Sequence, residues 1–415
     1  MTSQKRPGFG EAVRLWLKIG CIGFGGPAGQ IALLHRETVE KRDWIGEGEF
    51  ARALKFCMIL PGPEAQQLAT WIGWRLHGIR GGIAAGALFV LPAALLLWAL
   101  SLLYVMGRDL PVIHGFFDGI KPVVVALVVS AFWKIKGRLV HSRSQIVIAV
   151  VSLALFFLGA SYPWVVIAFA LLGVFLLQGP SMESGDLPVF RRPVAPLILV
   201  PALWAIPVLL IALWIGWSSV PVRVALLYAK AAVLSFGGAY AALSYVAFHA
   251  SGDWGWLTPG QMLDGIGLAE TTPGPLLMAL QFVAFVAAWK HPGALAPMAS
   301  ATLASFTAIW SLFLPSFLWI FSLAPNMERI AANGRMAGAL SAIGAVVTAV
   351  IAKLAIWFVV NLFISATPCG FFPRWIPLAM ALGAWLLLCR GRLGMVPVIL
   401  LGGGAGILLR LLGLN

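Results

Sequence analysis

The sequence predicts an all-α polytopic membrane protein of about 13 transmembrane helices, built as two halves in inverted repeat with broken helices at Pro-Gly-Pro motifs. Three observations predict it. The 415 residues are 60% hydrophobic and 11% charged, with mean hydropathy +0.93, whereas a soluble chain carries roughly 25% charged residues to solvate its surface. Two stretches share identical triplets in one register. Those triplets interrupt apolar runs that are otherwise long enough to span a bilayer. A soluble enzyme, a nucleic-acid binder and a disordered scaffold are excluded by composition alone.

Apolar runs bounded by charge, Pro and Gly give spans at 11–34, 53–78, 81–106, 111–135, 145–160, 162–178, 194–217, 222–248, 262–289, 293–322, 333–362, 374–390 and 393–413. The two short runs 145–160 and 162–178 read as a helical hairpin or a partly re-entrant pair. The polar segment Gln178–Arg192 reads as a linker. The domain plan is therefore an N-terminal repeat over 11–178, a cytoplasmic linker with a connecting helix over 179–221, and a C-terminal repeat over 222–413. Lys and Arg favour a cytoplasmic N-terminus and a periplasmic C-terminus. The inner loops hold Lys5, Arg6, Arg75, Arg80, Lys134, Lys136, Arg138, Arg143, Arg191 and Arg192. The misfit is the loop 36–52, which this scheme places outside although it holds Arg36, Lys41, Arg42 and Arg52. Cys21, Cys57, Cys369 and Cys389 form no CxxC pair, so neither a disulfide framework nor structural zinc is expected. No cofactor is implied, and the start of the chain has no removable signal peptide.

Shifting the chain by 212 residues aligns Lys18 with Lys230, Phe24-Gly25-Gly26 with Phe236-Gly237-Gly238, Trp44 with Trp256, and Pro61-Gly62-Pro63 with Pro273-Gly274-Pro275. Six spans precede the connecting span 194–217 and six follow it. Equivalent helices are then an odd number of crossings apart, which turns the second repeat upside down. Such architecture sets a substrate site at the bilayer midplane between the halves and suits a carrier with alternating access.

Pro61-Gly62-Pro63 and Pro273-Gly274-Pro275 cannot continue a helix, because each Pro lacks an amide donor and clashes with the preceding turn. Such a break survives in lipid only where protein or water satisfies the freed groups. The helices restarting at Glu64 and Leu276 present unpaired amides and a positive dipole end, an anion site in kind. The bland alternative is a pair of kinks. Gly25, Gly26, Gly237 and Gly238 allow a ligand or another backbone to approach closely. Lys18 and Lys230 fall inside spans at the same offset, where two ammonium groups would neutralise a dianion; snorkelling to the interface is the competing reading. Gln66, Gln67, Thr271 and Thr272 can donate to an oxyanion. Glu64 and Glu270 would repel it when ionised, and are the candidate proton-coupling groups. His35, His77, His114, His141, His249 and His291 lie mostly at span ends and read as interfacial.

The stretches FGGPAGQIALLHRETVEKRDWI, ILPGPEAQQLATWIGW and LFVLPAALLLW, followed by KAAVLSFGGAYAALSYV, GWLTPGQML and LAETTPGPLL, closely resemble the chromate ion transporter family in its long-chain, two-repeat form. The resemblance covers nearly the whole chain. It implies export of chromate from the bacterial cytoplasm across the inner membrane, and hence chromate resistance. Sulfate, the isosteric dianion, is the close alternative substrate. Gly237-Gly238-Ala239 stands where the first half has Gly25-Gly26-Pro27, so the halves are not equivalent in detail. The expected partners are the dianion and membrane lipid, with a homodimer as a further option and no nucleic acid. A membrane-embedded enzyme is disfavoured because HExxH and GxSxG are missing. An anion channel or a sulfate importer would use the same residues and differ in kinetics or direction.

Overall fold

The structure is a computed structural model that describes residues 7–107, 110–177, 194–327, 334–364, 375–391 and 393–413. The linker expected at 179–192 lies outside the described residues, as does the terminal Asn415. Among the described residues every regular element is helical. The first half holds α1 (Phe9–Ile22), α2 (Gly26–His35), α3 (Glu47–Ile59), α4 (Glu64–Met106), α5 (Pro111–Leu139), α6 (Arg143–Phe157) and α7 (Tyr162–Leu176). The connecting helix is α8 (Val194–Ile215). The second half holds α9 (Val220–Leu234), α10 (Ala239–Phe248), α11 (Pro259–Thr271), α12 (Ala279–Lys290), α13 (Pro297–Leu323), α14 (Gly334–Val359), α15 (Trp375–Cys389) and α16 (Met395–Leu411). Among the described residues five helical segments are long and apolar enough to cross a membrane: Glu64–Met106, Pro111–Leu139, Ala195–Ile215, Pro297–Asn326 and Gly334–Ile364.

The remaining helices are short because the chain turns back on itself. Lys18 Nζ and Glu37 Oε1 lie 3.7 Å apart, whereas on one straight helix these residues would be roughly 28 Å apart at ~1.5 Å per residue. The reversal sits at Gly25 and Gly26, both with positive φ (88° and 65°). Arg75 Nε donates to Glu49 Oε1 at 2.6 Å, so α3 and the first arm of α4 also fold back, here at Pro61-Gly62-Pro63. In the second half Lys290 Nζ donates to Gln261 Oε1 at 2.6 Å, and Gln261 occupies the place of Glu49 under the 212-residue shift. The triplets are thus hairpin tips rather than mild kinks. A third reversal inside α4 uses His77 and Gly78, whose φ/ψ are non-helical. It lays Gly82 against Trp74, where an added Cβ would come within 3.1 Å of the Trp74 Cβ.

These reversals correct one sequence-based expectation. The loop 36–52 does not lie across the molecule from the N-terminus. Arg75 ties Glu49 to the end of α4's first arm, and His77 Nε2 sits 3.0 Å from the Pro7 carbonyl oxygen. Loop, N-terminus and α4 kink therefore share one end, called here the near end. Hydropathy cannot distinguish one broken span from two half-helices, since both present the same run of apolar residues.

From the kink, α4's second arm runs to the opposite, far end. It lies antiparallel to α13: Trp98 Nε1 donates to Thr302 Oγ1 at 3.2 Å, and a Cβ at Gly82 would come within 2.6 Å of the Phe321 ring. The 212-residue shift relates Trp98 of this arm to Trp310 of α13. The closing hairpins are exchanged between the halves. Helices α6 and α7 pack on α14, while α15 and α16 pack on α5. Glycines make these crossings close: Gly173 meets the backbone at Gly338, and Gly406 meets the backbone at Gly115 and Gly119, the small-residue contact that lipid-embedded helices favour.

Candidate functional site

The hairpin tips of the two halves meet and bond reciprocally. The Gly62 amide donates to the Ser235 carbonyl at 3.2 Å, and the Gly274 amide donates to the Gly23 carbonyl at 3.0 Å. Ser235 and Gly23 immediately precede the two Phe-Gly-Gly triplets, so the Pro-Gly-Pro tip of each half is pinned to the Phe-Gly-Gly tip of the other. The φ angles of 125° at Gly62 and 117° at Gly274 are closed to most L side chains. With both amides engaged in this crossed pair, the glycines of the Pro-Gly-Pro tips act as connectors between halves.

Beside the joint lies a cavity of about 220 Å³. Gly25 and Gly26, Gly237 and Gly238, Glu64 and Glu270 all line it. Four helix starts converge there: α2 after Gly25, α10 after Gly238, α4 at Glu64, and the short 3-10 turn at Leu276 that leads into α12. The two halves interlock at side-chain level, since a Cβ at Gly238 would lie 3.8 Å from Glu64 Oε1. Glu270 is buried and accepts a hydrogen bond from Tyr240 Oη at 3.2 Å. At the mouth stand Ser130, Lys134 and Arg138. They recur every fourth residue along α5 and so occupy one helix face. Lys134 and Arg138 are exposed while Glu270 is not, so the cations stand on one side of the opening and Glu270 sits deeper.

Other residues singled out in the sequence stand beside the cavity rather than around it. Pro61, Pro63, Pro273 and Pro275 are buried in the tips. Gln67 Nε2 donates to the Pro61 carbonyl at 2.7 Å and so braces its own tip. Gln66 is fully buried, and neither atom of its amide has a partner among the described residues. Thr271 and Thr272 donate to the Leu268 and Ala269 carbonyls of their own helix. Lys18 and Lys230 are both exposed on the outward faces of α1 and α9, and Lys18 faces Glu37. Glu37 itself is buried outside the membrane-spanning segments; burial alone would raise its carboxyl, but Arg42, Lys41 and Lys18 overcome this and hold it down at about 2. The sequence reading missed Lys134 and Arg138 because they close an apolar helix and count as loop bases. Their four-residue spacing with Ser130 was the available signal.

A second charged group lies toward the far end. Asp118 accepts from Lys121 Nζ at 2.8 Å and from Arg410 Nη1 at 3.2 Å. Lys121 Nζ also lies 3.9 Å from Asp264 Oδ1, and Tyr104 Oη donates to Asp264 Oδ2 at 2.9 Å. Asp118, Lys121 and Asp264 are buried. The group links α4 and α5 of the first half to α11 and α16 of the second.

The chain is 34% identical over 342 residues to a chromate transport protein of Pseudomonas aeruginosa, covering 81% of this chain and 77% of the relative. It is 25% identical over 347 residues to a chromate transport protein of Cupriavidus metallidurans, covering 83% and 80%. It is 24% identical over 326 residues to an uncharacterised transporter of Methanocaldococcus jannaschii, covering 77% and 76%. No solved structure matches it. The family model for chromate transporters matches residues 10–174 and 222–407, one segment in each half, and the chain belongs to the chromate transporter family.

Proposed function

We propose that this chain exports chromate from the bacterial cytoplasm across the inner membrane, binding the dianion in the cavity between the crossed hairpin tips. The observation that carries the reading is the convergence of both Phe-Gly-Gly triplets, both glutamates and the Lys134–Arg138 pair on one cavity. The helix starts at Gly25 and Gly238 offer amides and positive dipole ends to an anion. Lys134 and Arg138 supply the two positive charges that a tetrahedral dianion requires.

Glu64 and Glu270 are the groups through which protons enter the cycle. With both ionised, the four charged side chains sum to zero and a dianion is unmatched. With both neutral, the cavity carries two positive charges. Affinity for the dianion should therefore fall as pH rises, and Glu64→Gln with Glu270→Gln should flatten that dependence. An inside-negative potential drives a dianion outward with roughly 4–5 kcal/mol per 100 mV, at ~2.3 kcal/mol per charge.

The halves are read as an inverted repeat about an axis in the membrane plane. Support comes from the antiparallel run of α4's second arm and α13, and from the crossed Gly62–Ser235 and Gly274–Gly23 bonds. The near end carries Arg36, Lys41, Arg42, Arg75, Arg80, Lys134, Lys136, Arg138 and Arg143, which makes it cytoplasmic and resolves the misfit of the loop 36–52. The cavity mouth then opens to the cytoplasm, and the Asp118–Lys121–Asp264–Arg410 group closes the periplasmic end. Labelled chromate flux in everted vesicles under an imposed potential, with sulfate as competitor, tests the reading. Potential-dependent, saturable uptake into everted vesicles is expected; uptake only in right-side-out vesicles would make the carrier an importer.

A further inference from the structure

Residues of both halves line a second cavity that the transport reading leaves unused. It measures about 170 Å³ and lies at the tip of the α6–α7 hairpin, lined by Lys353, Ser161, Tyr162, Tyr245 and His249 among others. Lys353 stands inside the long apolar helix α14. Its Nζ donates to the Phe156 carbonyl at 2.8 Å and lies 4.7 Å from the centroid of the Phe248 ring. An ammonium has three donors, so two remain for a ligand. The N-terminus of α7 opens at Ser161 and Tyr162 with no side-chain cap, adding a positive dipole end to the same cavity. Among the described residues no carboxylate lines it. Asp253 lies 3.7 Å from His249 Nε2 and is exposed. A half-buried cation in an apolar helix with no carboxylate against it favours an anion there.

The repeat says what this cavity is. Phe156 is the last residue but one of α6, as Leu388 is of α15; Tyr162 opens α7, as Met395 opens α16. Gly115 and Gly338 make equivalent helix crossings, and Ser130 stands as far beyond the first as Lys353 stands beyond the second. Leu388, Met395 and Ser130 all line the main cavity near its mouth. Phe156, Tyr162 and Lys353 are therefore the counterparts of Leu388, Met395 and Ser130 under the repeat. The two cavities are also joined along α14. Val347 packs where a Cβ at Gly237 would lie, 3.2 Å from its Cγ1, and Lys353 follows about 9 Å further along that helix at ~1.5 Å per residue.

We propose that the Lys353 cavity is a second site for a tetrahedral oxyanion, forming the opposite vestibule of the same path. The inference rests on the inverted-repeat reading of the transport cycle. Its ligand is a phosphate-like oxyanion, reaching Lys353 either as the free transported ion or as the headgroup phosphate of an anionic lipid.

Equilibrium dialysis of labelled sulfate against the detergent-purified full chain is the test. Wild type should bind about two ions per chain, Lys353→Gln about one, and the double variant Lys134→Gln/Arg138→Gln about one. Native mass spectrometry with added phosphatidylglycerol distinguishes the sources. A lipid occupant appears as a bound phosphatidylglycerol that is present in wild type, displaced by sulfate and lost in Lys353→Gln. Two sulfates retained by Lys353→Gln overturn the proposal, whereas phosphatidylglycerol held equally by both proteins identifies the free ion as the occupant. A single wild-type ion that is lost in Lys353→Gln but kept in the double variant overturns the central-cavity reading and leaves this one standing. Amine labelling of Lys353 in the unmodified protein requires no variant to fold. Protection by saturating sulfate is expected, and labelling unaffected by sulfate overturns the proposal.

Discussion

The two halves share a backbone plan and differ in where they carry charge. Helices α1 and α9 end 212 residues apart, and α3 and α11 match at both ends under the same shift. Yet the first half places Lys134 and Arg138 at the rim of its vestibule, while the second places Lys353 one turn deeper, beside rings and a backbone carbonyl. The joint between halves is therefore held by backbone, which duplication preserves. The mouths are defined by side chains, which drift independently.

The largest expected effect tests the joint. A Cβ at Gly274 would strike the Ala93 Cβ, which has nowhere to go, whereas at Gly62 the obstacle is the flexible Gln67 amide, 2.7 Å away. Gly274→Leu should abolish vesicle transport at near-normal membrane accumulation. Gly274→Ala should impair transport more than Gly62→Ala, and equal tolerance of both would dissolve the crossed joint. Next come the rim cations. Charge-assisted contacts are worth about 1.5–3 kcal/mol, so Lys134→Gln or Arg138→Gln should raise the chromate Km roughly ten- to a hundredfold. Lys18→Gln and Lys230→Gln, on outward faces, should change it less than about threefold. A reversed order would move the site back to the repeated lysines.

Smaller effects compare the two ends of the molecule. Asp118→Asn removes the buried carboxylate that accepts from both Lys121 and Arg410, so it should cost on the order of 3 kcal/mol in detergent unfolding. Arg75→Gln at the exposed near-end pair should cost below about 1 kcal/mol. Equal losses would deny the far end its role as the closed one. The last comparison concerns Glu37, whose counterpart under the repeat is His249. Its folded pKa of about 2 lies below the ordinary 4.5, so its contribution is full above pH 4.5 and lost as pH falls toward 2. With half-exposed Lys18 and Lys41 discounted for solvent, that contribution is on the order of 2 kcal/mol. The gap in melting temperature between wild type and Glu37→Gln should narrow between pH 5 and pH 3.

Much of this was legible in the residues. The duplicated triplets marked the tips, and Glu64 and Leu276 marked the restarts, because Pro and Gly act locally and leave the same trace in one dimension as in three. The side of the membrane for the loop 36–52 was not legible. It depends on whether a broken run passes through or turns back, and only tertiary contacts such as Arg75–Glu49 and His77–Pro7 decide that. The exposed placement of Lys18 was not legible for a related reason. Its identity with Lys230 fixes an offset along the chain, but the face of the helix it occupies depends on the angle at which α1 folds against α2. Lys134 and Arg138 were visible as a four-residue stripe, yet the cavity they serve is closed by Leu388 and Met395, more than half the chain away.

The exchanged hairpins set a timetable for synthesis. Helices α6 and α7 reach their packing partner α14 only after about 160 further residues have been made. At roughly 5–20 residues per second, that is an interval of about 8–30 s. During it the glycine faces of α7 have lipid, or a chaperoning partner, in place of Gly338. The first half cannot close its own binding chamber before the second is nearly complete. A chain truncated within α14 should therefore be a substrate for membrane quality control rather than a weak transporter.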